Sequence, residues 1–245
     1  MIILMILCFQ VLYAFEPSAL NLRVPSHLEK NSLVFDVQHR AYGVLTEDPL
    51  DNFFGLGLGA NVNIGLRYAV LPQLEINAAY TTFEKEYRLG ASYGHHLQRL
   101  YLKGQLDVQY FNFERTGERN GNFYISAALQ SYPLGNVFIP TVNFAYDGFN
   151  EKFGLGFGVD LGFDWSFGPL EHISLVGEYY PVLRAEEPIT RAENYFAAGL
   201  RLDTYGHHFM LQISNGSEIG PRRLMLGTLN NDIYIGFNIH RILQF

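Results

Sequence analysis

Residues 153–165 alternate without a break. Phe153, Leu155, Phe157, Val159, Leu161, Phe163 and Trp165 occupy one set of positions, and Gly154, Gly156, Gly158, Asp160, Gly162 and Asp164 the other. A helix turns once in about 3.6 residues and would mix the two sets, whereas a β-strand sends them to opposite faces. Leu58–Tyr68 repeats the pattern, with Leu58, Ala60, Val62, Ile64, Leu66 and Tyr68 against Gly59, Asn61, Asn63, Gly65 and Arg67. The C-terminal stretch does so too, with Ile233, Ile235, Phe237, Ile239, Leu243 and Phe245 against Asp232, Tyr234, Gly236, Asn238, His240 and Gln244. Two residues there break the rule. Ile242 falls on the polar face and Arg241 on the apolar one, close enough to the end for its long side chain to snorkel.

Extended along the chain, the period predicts an all-β protein of about twelve strands. They fall at 31–41, 57–69, 73–83, 86–94, 99–113, 122–131, 137–147, 152–165, 171–180, 194–203, 207–214 and 231–245. The long connections, 42–56, 114–121, 181–193 and 215–230, are all odd-numbered. The even ones, 70–72, 95–98, 132–136, 166–170 and 204–206, are short, as are two odd ones, 84–85 and 148–151. Long loops on one rim and short turns on the other are expected of a transmembrane antiparallel up-and-down β-barrel. Composition agrees: aromatics reach 15% and Gly 24 residues, while charged residues are 17%, below the roughly 25% of soluble domains.

Ring placement separates this reading from a secreted sandwich. Tyr68, Tyr80, Tyr87, Tyr93, Tyr110, Tyr146, Trp165, Tyr179 and Phe245 sit on apolar faces near strand ends, where amphipathic rings would form two membrane-interface girdles. Backbone groups in lipid must all be paired, so the sheet must close. Residues 1–14, MIILMILCFQVLYA, read as a signal-peptide core with cleavage after Ala14, although no Lys or Arg precedes it. Cys8 as a lipoprotein acceptor is disfavoured because too little apolar sequence comes before it. Once 1–14 is removed no Cys remains, which excludes disulfides and thiolate metal sites. These features predict export to a bacterial outer membrane, a periplasmic segment at 15–30 and a barrel over 31–245. Partners are then outer-membrane lipid and, through the last strand, the barrel-assembly machinery, whose C-terminal signal Phe245 resembles.

Four stretches, LEKNSLVFDVQHR (28–40), NVNIGLRYAVLPQLEINAAY (61–80), KEYRLGASY (85–93) and DIYIGFNIHRIL (232–243), resemble a family of uncharacterised bacterial outer-membrane β-barrels. In that family a strand ending in His-Arg precedes a loop, an IGLRY-like strand, a tight turn and its partner. The resemblance covers the first third of the mature chain and its last strand. It implies the barrel fold and no catalytic residues.

Thirteen charged residues fall on the polar face and are expected to line the lumen. The acids are Asp36, Glu75, Glu86, Asp107, Asp160, Asp164, Glu178 and Asp203; the bases are Arg40, Arg67, Arg88, Lys103 and Arg201. They can line a water-filled pore or pair across the lumen and plug it. Arg67 and Glu75 flank the turn at Leu71 and form a candidate pair. The acidic excess points to cation preference. Gly55, Gly57, Gly59, Gly154, Gly156 and Gly158 do not fit a nucleotide loop, and their spacing implies close packing inside the lumen. His95–His96 and His207–His208 are weak metal candidates because adjacent strand residues point apart. A hydrolase would need Ser92 or Ser126 brought to His240, and no nucleophile motif is present. Asn215-Gly216-Ser217, a formal sequon, is more simply a loop. With a net charge of −7 and no basic patch, nucleic acid is excluded as a partner, and no cofactor or metal is expected. The leading function is a narrow pore for small solutes. A closed structural or ligand-binding barrel acting through loops 42–56, 181–193 and 215–230 is the alternative, and an outer-membrane hydrolase a third.

Overall fold

A computed structural model describes residues 20–25, 28–53, 56–113, 117–135, 137–163, 165–183 and 193–245. The proposed signal peptide and Asp164 lie outside these. Among the described residues twelve antiparallel strands close into one barrel. They are β1 (Ser32–Ala41), β2 (Ala60–Leu71), β3 (Leu74–Thr81), β4 (Glu86–Leu97), β5 (Leu100–Phe113), β6 (Glu118–Ser131), β7 (Phe138–Asp147), β8 (Lys152–Phe163), β9 (Leu170–Tyr180), β10 (Tyr195–Thr204), β11 (His207–Ser214) and β12 (Tyr234–Gln244). Each pairs with its neighbours in sequence, and β12 returns to β1 in a register from Ser32↔Gln244 to Arg40↔Gly236. Closure leaves no strand edge unpaired.

The long connections are 42–59, 181–194 and 215–233, all on one rim. The expected long loop at 114–121 is shorter than predicted, because β6 begins at Glu118 and pairs Glu118 with Phe113 and Arg119 with Asn112. Residues 118–121 carry no apolar residue, so a test for alternating apolar positions passes over them. Gly57 and Gly59 belong to the loop before β2 rather than to the strand, with Gly59 at φ 80°. Trp165 lies beyond the end of β8 and is exposed.

The sequence set residues 15–30 apart from the barrel, but residues 20–25 lie inside it. Leu20, Leu22 and Val24 are buried with Tyr124, Val176, Tyr180, Tyr195, Met210, Leu224 and Met225 in the main apolar cluster. Two glycines of β8 make room for this filling. A Cβ on Gly156 would lie 2.6 Å from Leu22 Cδ2, and one on Gly154 would lie 2.6 Å from Met225 Cβ. Nearer the short-turn rim, Leu28 packs against Val34, Ala69 and Ile242. Ile242 therefore breaks the alternation because it serves an apolar patch inside the barrel. Arg241 points the other way and meets the His207 ring, 2.6 Å from Nη1 to Nδ1.

Candidate functional site

The interior is a stack of charge clusters between two inward-folded segments. Nearest the short-turn rim, Arg201 on β10 is fully buried. Its Nε donates to Asp203 Oδ2 (3.1 Å), its Nη2 to Ser174 Oγ (2.9 Å), and its Nη1 pairs with Asp160. Asp203 also meets His208 Nδ1 at 2.7 Å. On the opposite wall Glu75 is the hub: Lys103 Nζ approaches at 2.8 Å, Arg67 Nε at 3.4 Å, and the Leu28 backbone N–H donates to it at 3.3 Å. Arg67 and Glu75 do pair, although diagonally, since the register sets Arg67 opposite Asn77 and Glu75 opposite Ala69.

At mid-height the N-terminal segment ties itself to the wall. The backbone N–H groups of Asn21 and Leu22 donate to Glu178 Oε1 at 2.5 and 2.9 Å. The backbone N–H of Arg23 donates to Asn143 Oδ1 (2.8 Å), and its guanidinium reaches Asp107 at 3.1 Å. Arg40, fully buried, donates to Asn21 Oδ1 (3.0 Å) and Asn238 Oδ1 (2.8 Å). These contacts turn six residues without ladder partners into a fixed plug.

The long-loop rim is filled by loop 215–233, which carries a one-turn helix, α1 (Pro221–Leu224). Arg222 Nη2 lies 2.6 Å from Glu86 Oε2 and its Nη1 lies 3.9 Å from Asp147, while Arg223 pairs with Glu84 and Glu86. Burial opposes the charge on Arg223, but these carboxylates hold its pKa above the ordinary guanidinium value. The Phe111 ring lies under Arg222, 4.6 Å from its guanidinium carbon.

Of the thirteen predicted lumen charges, all but Asp164, which lies outside the described residues, are on the inward parity and in these clusters or beside them. Sequence reasoning missed Arg23, Asp147, Arg222 and Arg223, and with them the plug and the inward fold of the loop it had placed at 215–230. The three arginines reduce, without cancelling, the acidic excess from which cation preference was read, since Asp147 adds one carboxylate. His240, weighed as a hydrolase residue, faces Asp36 at 2.7 Å, whereas Ser92 and Ser126 register with Gln105. His207 points outward and His208 inward, as strand geometry requires. A cavity of about 120 Å³ remains between the plug and the β1–β5 wall, room for a few waters or one small ion.

The outer face is apolar, with Ile64, Leu66, Leu89, Leu106, Val108 and Leu175 exposed along the strand middles. Rings gather near the long-loop rim: Tyr80–Tyr87 at 4.9 Å, Tyr87–Tyr110 at 6.4 Å, Phe123–Tyr146 at 5.9 Å and Tyr146–Phe153 at 4.9 Å between centroids. Tyr179 continues this side, while Tyr68, Tyr93, Trp165 and Phe245 lie toward the other rim. The sequence profile of a family described as a membrane-bound beta barrel domain (DUF5777) matches residues 18–112 and 142–243. The chain belongs to this family. Its matched residues include the plug as well as the strands, so the profile spans both parts of the domain. No curated protein sequence matches the chain. Among solved structures it is similar to LpxR from Salmonella typhimurium, with a TM-score of 0.47 and 12% identity over 87% of this chain and 100% of that one. It is also similar to a triple mutant of Rhodopseudomonas blastica porin, with a TM-score of 0.37 and 11% identity over 75% of this chain and 55% of that one.

For this membrane-bound β-barrel domain the exposed apolar face meets hydrocarbon. Leu106→Arg, at the middle of β5, is expected to cost about 2–4 kcal/mol, and Leu97→Arg, at the short-turn end of β4, about 0–1 kcal/mol. Urea titration of barrels refolded in lipid vesicles measures the difference; equal costs would contradict the membrane placement of this face.

Proposed function

We propose that this barrel is an outer-membrane pore for small solutes, held shut by residues 20–25 and, at the long-loop rim, by loop 215–233. The carrying observation is the nature of the obstruction. The wall is continuous and heavily hydrogen-bonded. The plug is a short segment outside the sheet, held by the burial of Leu20, Leu22 and Val24, by hydrogen bonds from its backbone N–H groups to Glu178 and Asn143, and by an ion pair to Asp107. Water can replace each of those polar contacts when the segment leaves. The vacated wall would carry polar groups such as Asn143, Asp107 and Glu178, which suit a hydrated path, beside the rings of Tyr124, Tyr180 and Tyr195 that the segment now covers. Twelve strands also enclose more width than the side-chain-filled barrels of about eight. Export by residues 1–14 and assembly through the C-terminal strand complete this reading.

Planar-bilayer recording tests it. The full mature chain is expected to be closed for most of the record, with rare brief openings. Deleting 15–25, together with Arg222→Gln and Arg223→Gln to release loop 215–233, should give steady conductance. A deletion variant that folds, shown by its heat-dependent mobility shift in gels, yet stays silent would refute the pore. Such silence would favour the closed binding barrel, to which the pinning of loop 215–233 through Arg222 and Arg223 already lends support.

A further inference from the structure

We infer that the cavity between the N-terminal segment and the β1–β5 wall is a binding site for a small oxyanion of the phosphate class. This inference concerns binding and stands whether or not the barrel conducts. The cavity is lined by four cationic side chains, Arg23, Arg67, Arg88 and Lys103, and by one carboxylate, Asp36, beside His240. The nearby carboxylates are already engaged. Glu75 takes Lys103 and Arg67, Asp107 accepts from Arg23 and from Gln105 at 2.8 Å, and Glu86 takes Arg222 at 2.6 Å. Asp36 itself is held by His240 and accepts from Asn63.

Arg88 is left under-compensated. Its carboxylate contact among the described residues is Glu86 at 4.0 Å, the same group that Arg222 approaches more closely. Two buried guanidinium N–H groups of this cavity, Nε of Arg23 on the plug and Nε of Arg88 on β4, have no acceptor. A buried donor without an acceptor is costly, and more so on a charged group. Water would supply an acceptor but no charge. A tetrahedral oxyanion supplies both, has oxygens enough for guanidinium groups on two sides, and fits about 120 Å³. Loop 215–233 leaves the space clear: Gly220 lines the cavity, and a Cβ there would come 3.5 Å from Arg88 Nη1. Bound in this way, the anion would bridge the plug to the wall.

Isothermal titration calorimetry of the refolded full-length mature protein in detergent tests the site, with inorganic phosphate added to phosphate-free, low-salt buffer. One saturable site is expected. Arg88→Gln should weaken it about tenfold or more, the loss of a charge-assisted hydrogen bond. Arg23→Gln should weaken it similarly and covers the case in which the β4 variant does not fold. Arg241→Gln, on the outer face, should leave binding unchanged. Absence of saturable heat from the unaltered protein would overturn the site. So would undiminished binding by the folded variants, or equal weakening by Arg241→Gln.

Discussion

Arg201→Met is expected to destabilise the barrel by about 3–5 kcal/mol, the range seen when one partner of a buried ion pair is removed. Arg201 has no exposed surface and faces Asp160, Asp203 and Ser174 together. Methionine matches its length and apolar stem, so cavity formation adds little. What remains is two carboxylates on β8 and β10 without their shared cation, with only His208 still beside Asp203. They must stay charged against each other or take up protons, and both alternatives oppose folding. Adding Asp160→Asn and Asp203→Asn should recover most of the loss, because a neutral cluster avoids the uncompensated charge. Urea midpoints and slopes in lipid vesicles give both numbers. A loss below about 1 kcal/mol for the single variant would mean that water, not Arg201, compensates these acids.

The strands were legible because every second residue meets a different solvent, and that constraint is local. Alternation in 153–165 needs no knowledge of the partner strand, and the parity that puts Asp160 inward is the same parity that places Arg201, Glu75 and Lys103 inside. Turn placement followed for the same reason. The filling of the barrel was not legible, because it depends on contacts between distant positions. Asn21 and Glu178 are 157 residues apart, and nothing in either neighbourhood marks the other. Leu20, Leu22 and Val24 do alternate with Asn21 and Arg23, but the run is too short to distinguish from a leader segment. Two weak signals existed. Ile242 on the polar face required an apolar partner inside the barrel, which Leu28 helps supply. The glycine face of β8 required something large opposite it, and Leu22 and Met225 occupy that space.

Gly156→Val is expected to expel the plug while leaving the barrel intact. A Cβ at this position would lie 2.6 Å from Leu22 Cδ2 and 2.8 Å from Tyr180 Cε1, too close to coexist with Leu22 in place. Leu22 and Tyr180 pack in one buried cluster, so their turning aside would itself loosen the segment; otherwise β8 or the segment must move. Valine suits a strand, and β8 is hydrogen-bonded on both sides, to β7 and β9. Displacing it would unpair backbone groups next to lipid at several kcal/mol each. Releasing residues 20–25 forfeits about 1.5–3 kcal/mol for each buried apolar side chain, offset in part when Glu178 and Asn143 regain water. The segment therefore yields. Val24→Cys provides the reporter, since Cys8 lies within the residues expected to be removed and no other cysteine is present. A water-soluble maleimide should label Val24→Cys slowly in the plugged barrel and at least tenfold faster when Gly156→Val is added. Gly104→Val, whose added Cβ would touch nothing, should not change the rate. Equal protection with and without Gly156→Val would show that the segment is locked in place and could not serve as a gate.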